Sequence, residues 1–293
     1  VLAEYLALSL IWGLSFLFML RVVAVFGLVG AVCFRALIAA GILLLISLST
    51  GRSLRFVVPW HRFLIVGATT VVLQLLGLCY ALPLIGTAMA AILVAAIPLF
   101  AMLIGHWWGL EQITMARVVG LMLGVLGIGL LVGFPSQAIT GRFLLGCASA
   151  IGGALCSAIG SNYASARLNA VAPFETTLGA FFIGGILSLP LLAVSPVRVV
   201  PTWEDWCNLL VLGALMSALA YVMYFRLVAS VGATRAVSVE FIVTLVAVII
   251  GTALLHETLT AIQCVGAVTI LTGCALVLGL LPWQRGDLAK AGS

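Results

Sequence analysis

The sequence predicts an all-α integral membrane protein in which ten transmembrane helices form two inverted five-helix repeats. Three observations carry this. Apolar residues make up 65% of the 293 positions and charged ones only 7%, more apolar surface than a soluble domain can hide, so the solvent is lipid. Ten stretches approach the roughly 20 residues needed to cross a hydrocarbon core. They are too long for barrel strands, which run to about ten residues of alternating polarity. Finally, "WGLEQITMARVVG" (108–120) is echoed by "LLHETLTAIQCVG" (254–266) half a chain later.

The spans are expected at 2–20, 30–49, 62–82, 87–105, 114–133, 143–164, 174–194, 207–229, 235–255 and 261–281. Helix is the conformation that satisfies their backbone in lipid. The first lacks a basic leader and a small-residue cleavage site, so it is expected to be retained as a helix. It carries Trp12 near its middle, beside Gly13. The second has Arg35 toward its outer end, placed to snorkel or to attract a substrate carboxylate. The third has Thr70 and Gln74 on one face and Tyr80 toward the outer end. The fourth is interrupted by Pro98, which frees a backbone carbonyl and permits a kink.

The fifth and tenth are scaffold, the fifth rich in glycine ("GLMLGVLGIG", 120–129) and poor in polar groups. The sixth has a small-residue stripe, Gly153, Ser157, Ser161 and Ser165, of the kind that lets helices approach closely. The seventh follows, and the eighth sets Ser217, Tyr221 and Tyr224 at i, i+4 and i+7 on one face. The ninth holds Glu240, the one carboxylate clearly inside a span. It lies five residues past Arg235, about 7.5 Å along a helix, and an ion pair with Arg235 or Arg226 is the preferred expectation. A cation- or proton-sensitive gate is the alternative.

Sliding residues 86–133 onto 232–279 without a gap gives 13 identities in 48 positions, against a chance level of roughly a tenth. They include Gly86/Gly232, Glu111/Glu257, Thr114/Thr260, Gly120/Gly266 and Gly127/Gly273. This predicts a duplication, 1–140 and 141–293. An odd number of spans per copy then inverts the second copy, and inverted repeats surround a midplane site in many secondary transporters. Glu111 and Glu257 fall in tight turns where each reaches the amide end of the next helix, near Thr114 or Thr260 as caps. Of the 13 basic residues, nine lie on one side when the amino terminus is cytoplasmic: Arg52, Arg55, Arg62, Arg117, Arg167, Arg226, Arg235, Arg285 and Lys290. Arg21, Arg35, Arg142 and Arg198 lie on the other, which predicts both termini inside.

The pattern resembles the drug/metabolite transporter superfamily in its ten-helix EamA form. The residues that carry the likeness are the doubled E-x-x-T-x-x-x-x-x-G, "LIWGLSF" (10–16), "FRALIAAGILLL" (34–45), "YAL" (80–82) and "AAIPLFAML" (95–103). In size and in the polar and aromatic residues of its spans the chain is similar to exporters of the YddG type. That resemblance implies export of aromatic and other amino acids across a bacterial inner membrane. One departure is that Pro98 aligns with Thr244 in the second repeat.

Candidate cavity residues are Trp12, Gln74, Tyr80, Ser157, Ser217, Tyr221 and Tyr224, with Pro98 and Glu240 as hinge or gate. An amide, phenol or indole in lipid is costly, and a wet cavity relieves it. The other six tryptophans sit at span borders as interfacial anchors. The seven cysteines lie within or at the edge of spans with no CxxC pair and serve as small packing residues. No cofactor or metal is expected. Asp205 and Asp287 lie outside the spans, and His61, His106 and His256 are far apart. The single lysine, Lys290, is in the tail, which excludes an intramembrane Schiff base, and no GxxxxGK[ST] loop is present. An enzyme, such as a membrane transferase, is therefore disfavoured. A phosphorylated-sugar or nucleotide-sugar carrier would need paired cations at mid-depth. The expected partners are a small-molecule substrate and membrane lipid, without nucleic acid, and the sequence is compatible with a monomer.

Overall fold

The computed structural model describes residues 2–94, 96–132, 140–195, 197, 199–246 and 261–278. All regular elements among them are helical. Helix α1 runs Leu2–Ser49 with a break at Gly27 (φ 72, ψ 174). At that break the chain reverses. Trp12 Nε1 and Arg35 Nη2 both donate to the Met216 carbonyl, each at 3.3 Å, whereas 23 residues of straight helix would hold them about 35 Å apart. A left-handed φ is open to glycine without a Cβ clash. Where the sequence suggests a nine-residue link between two spans, one residue suffices.

Helix α2 (His61–Val66), a π-helical turn (Gly67–Leu73) and α3 (Gln74–Val94) form one helical run with Pro83 inside. It ends near Ala96, and α4 (Ile97–Trp107) follows. The expected boundary at 82–87 is thus absorbed into a helix that contains Pro83 and bends between Gln74 and Val94, because these residues, 20 apart, border one small cavity. Next come α5 (Met115–Val132), α6 (Gly141–Arg167), α7 (Pro173–Ser188) and α8 (Leu191–Val194). They are followed by α9 (Trp203–Gly213), a second π-helical turn (Ala214–Leu219) and α10 (Ala220–Val231). Beyond a turn at Gly232 lie α11 (Ala233–Val237), helical residues 239–246, and α12 (Ala261–Leu278). Glu257, Thr260, Arg285 and Lys290 lie outside the described residues.

Helix starts follow the local chemistry. Thr140 Oγ1 accepts from the Phe143 N–H at 3.2 Å, and Thr202 with Asp205 forms a reciprocal capping box at α9. Five helical stretches are long and apolar enough to cross a membrane: Phe18–Ser49, His61–Ile85, Gly141–Arg167, Pro173–Val194 and Trp203–Val231. Shorter apolar helices are Leu2–Ser15, Ile97–Trp107, Met115–Leu130 and Val265–Leu278. The chain is a multi-pass membrane protein.

Without a hydrophobic drive between helices in lipid, close backbone approach and polar ties hold them together. Helices α5 and α12 make the most extensive pairing among the described elements. A Cβ on Gly120 would lie 2.8 Å from the Gly273 carbonyl oxygen, and one on Gly127 would lie 2.8 Å from that of Gly266. Shifted by 146 positions, these two contacts are the same contact. A second pair behaves alike: Gly67 abuts Gly184, and Gly213 abuts Ile38. The two π-turns also fall at one register, since Leu73 and Leu219 are 146 apart. Polar ties link residues before 140 to residues after it. Glu4 binds Arg226 (3.0 Å), Arg52 binds Glu175 (3.4 Å), Arg62 donates to the Arg167 carbonyl (2.9 Å), and Glu111 accepts from the Thr234 N–H (3.2 Å).

Candidate functional site

The bend at Gly27, the π-turn before α10 and the end of α3 bring four elements around a cavity of about 50 Å³. Its walls include Trp12, Met19, Arg35, Gln74, Tyr221 and Glu240, with Val94 and Ile97 closing one side. Trp12 is fixed by its bond to the Met216 carbonyl, one of the backbone groups of the π-turn. Its ring lies 5.3 Å from Tyr221 and 5.4 Å from Tyr224, and the two tyrosines are 5.8 Å apart. Phe181 meets Tyr221 edge to face at 4.8 Å, a favoured aromatic geometry. The Tyr224 hydroxyl pairs with Ser161, so it is committed to protein. The Tyr221 hydroxyl, the Gln74 amide and the Glu240 carboxylate make no side-chain hydrogen bond among the described residues and border the cavity instead.

Arg35 is 3% exposed. Its Nε donates to Ser217 Oγ, its Nη2 to the Met216 carbonyl, and its Nη1 contacts Met19 Sδ at 3.6 Å. The sequence reading puts it at the outer end of a span, whereas it lies inside the bundle at the cavity wall. A signal was present: its nearest charged neighbours in sequence are Arg21 and Arg52, so it sits deep within an uncharged stretch.

Trp12, Gln74, Tyr221 and Glu240 thus meet at one cavity. Ser217 reaches it through Arg35, and Tyr224 through the Trp12 ring. Ser157 is buried, and its carbonyl accepts from Ser161 (2.7 Å). Tyr80 is 39% exposed and stands apart from the cavity. The expected ion pair of Glu240 is not formed. Arg226 holds Glu4 instead, and the turn at Ser238 breaks the helix between Arg235 and Glu240. Pro98 also differs from expectation. Ala96 is a turn residue and N-cap, and α4 begins at Ile97, so the proline sits in a first turn, where its missing N–H costs nothing. A larger groove of about 820 Å³, with Leu44, Phe56, Trp60 and Phe182 among its walls, has almost no polar surface and suits lipid.

The family model described as "EamA-like transporter family" matches residues 2–133 and again 144–279. The chain is 25% identical over 256 residues to "Uncharacterized transporter YvbV" of Bacillus subtilis, covering 83% of this chain and 80% of that one. It is 26% identical over 212 residues to "Uncharacterized transporter sll0355" of Synechocystis sp., covering 66% of this chain and 63% of the other. A solved crystal structure superposes with a TM-score of 0.77 over 94% of both chains at 18% identity, a likeness of fold.

Proposed function

The chain belongs to the EamA-like transporter family, and from that premise we propose that it exports small zwitterionic metabolites, amino acids including aromatic ones foremost, by alternating access. The proposal takes the chain as ten spans in two inverted repeats, 1–140 and 141–293, in a bacterial inner membrane with both termini cytoplasmic. The reciprocal glycine contacts and the matched π-turns support the inverted repeats. The observation that carries the substrate reading is the cavity itself, where Trp12 and Tyr221 present rings and Gln74 and Tyr221 present polar ends without a side-chain partner among the described residues. At about 50 Å³ it is well below the roughly 300 Å³ or more of a small-molecule pocket, so loading a metabolite requires the halves to part. Trp12, Gln74, Ser157, Ser217, Tyr221 and Tyr224 remain the proposed path, with Tyr80 on it beyond the closed cavity, and with Glu240 and the α3–α4 junction beside Pro98 as the moving points. A phosphorylated-sugar substrate is disfavoured because Glu240 shares the cavity with Arg35, the one arginine among its described walls.

Proteoliposomes holding the full chain and a panel of labelled amino acids test this. Counterflow of at least one aromatic amino acid is expected. Trp12→Ala or Tyr221→Ala should lower it about tenfold, the equivalent of roughly 1.4 kcal/mol, while Leu123→Ala on α5 stays near wild type. Absence of counterflow for every amino acid in the panel would overturn the substrate class.

A further inference from the structure

An arginine and a glutamate, Arg35 and Glu240, border the same cavity and do not meet. The Arg35 guanidinium touches a hydroxyl, a backbone carbonyl and a thioether, and no carboxylate lies against it among the described residues. A guanidinium has five N–H donors, so two stay uncommitted. The ion pairs of the described residues use Glu175, Glu111 and Glu4, which leaves Glu240 without a cation. Holding an unpaired charge out of water costs several kcal/mol even after relaxation. Charges kept only for folding would be brought together. The duplicated frame also does without them: one repeat length away from Arg35 and Glu240 stand Phe181 and Val94, and Val94 borders the same cavity.

We infer that Arg35 and Glu240 form a two-point site for a zwitterion, and this rests on the cavity being the transport site. The α-carboxylate of the substrate receives the two free N–H groups of Arg35, the planar fork that suits a carboxylate. The α-ammonium donates to Glu240, and the side chain lies against Trp12 and Tyr221. Substrate thus supplies both missing counter-charges and is recognised at both ends, which separates an amino acid from the amine or the acid of the same shape.

The test is competition against labelled phenylalanine counterflow in proteoliposomes, using phenethylamine, which lacks the carboxylate, and 3-phenylpropionate, which lacks the ammonium. With wild-type protein both analogues should compete roughly tenfold or more worse than unlabelled phenylalanine, the value of one charge-assisted hydrogen bond. Arg35→Gln should close the gap for phenethylamine alone, Glu240→Gln the gap for 3-phenylpropionate alone, and Arg35→Lys should retain most of the first. Equal competition by all three ligands on the wild type overturns the two-point site while leaving amino-acid transport standing, and needs no variant to fold. Absence of any amino-acid counterflow overturns both this inference and the transport reading beneath it.

Discussion

Glu111 carries three contacts on one carboxylate. It accepts the Thr234 N–H at 3.2 Å at the start of α11, takes the Arg117 guanidinium at 3.2 Å, and crowds Gly232. Gly232 has φ 85, and a Cβ there would stand 2.8 Å from the carboxylate, so glycine answers both constraints. Glu111→Ala leaves the half-buried Thr234 N–H without its acceptor and the Arg117 guanidinium with only the Gln112 carbonyl, and should cost about 1–3 kcal/mol. Glu4→Ala removes a pair whose arginine is largely exposed and should cost under about 1 kcal/mol. Thermal unfolding of the two variants in detergent compares them, and equal shifts would contradict this assignment. The sequence marked Glu111 as a helix-end ligand but expected the neighbouring helix. Thr114 caps that one itself, through the Arg117 N–H at 3.4 Å. The true partner lies 123 residues away, and no local pattern encodes such a distance.

Among the elements, α5 and α12 show why glycine spacing and not hydrophobicity sets the approach of two helices. Gly127→Ala would drive a methyl to 2.8 Å from a backbone carbonyl, an atom that cannot swing aside. Gly129 on the same helix has open space around it. Gly127→Ala should therefore lower stability by about 1–3 kcal/mol. Gly129→Ala should be neutral or gain up to about 1 kcal/mol from helix propensity. Unfolding temperatures that ranked the two the other way would remove the close pairing. The "GLMLGVLGIG" run made this scaffold role legible beforehand. Helix ends were less legible. Gly27 turns the chain in one residue, Pro83 lies inside a helix without ending it, and the stop ahead of Pro98 has no stronger local mark than Pro83 itself. Those differences decide depth, and depth hid Arg35: a span thought to begin at residue 30 leaves position 35 near its end. The Arg235–Glu240 pair failed for the same kind of reason, since the turn at Ser238 lies between them.

At the scale of the molecule, composition made the membrane legible, because it is a property of long stretches, and the doubled E-x-x-T is the sequence ground for the proposed repeat. The central meeting of Trp12, Gln74 and Tyr221 was also foreseeable, since costly polar groups in lipid have few places to go. On the proposed inverted arrangement, Glu111 and Glu257 are expected on opposite sides of the membrane. In a variant with the exposed Cys207 replaced, a cysteine introduced beside Glu111 should react with an impermeant maleimide only from the cytoplasm. One beside Glu257 should react only from outside, and labelling of both from one side would exclude the arrangement. The paired π-turns carry a further consequence, about ancestry. A π-turn is a helix with a residue to spare, and gaining a residue without losing the helix is a rare genetic accident. Two such accidents at one register, ending at Leu73 and Leu219, are most simply one accident copied. On the proposed duplication the lengthened helix is older than the two-repeat protein. Both halves inherited it before Trp12, Arg35 and Glu240 gave each half a different trade.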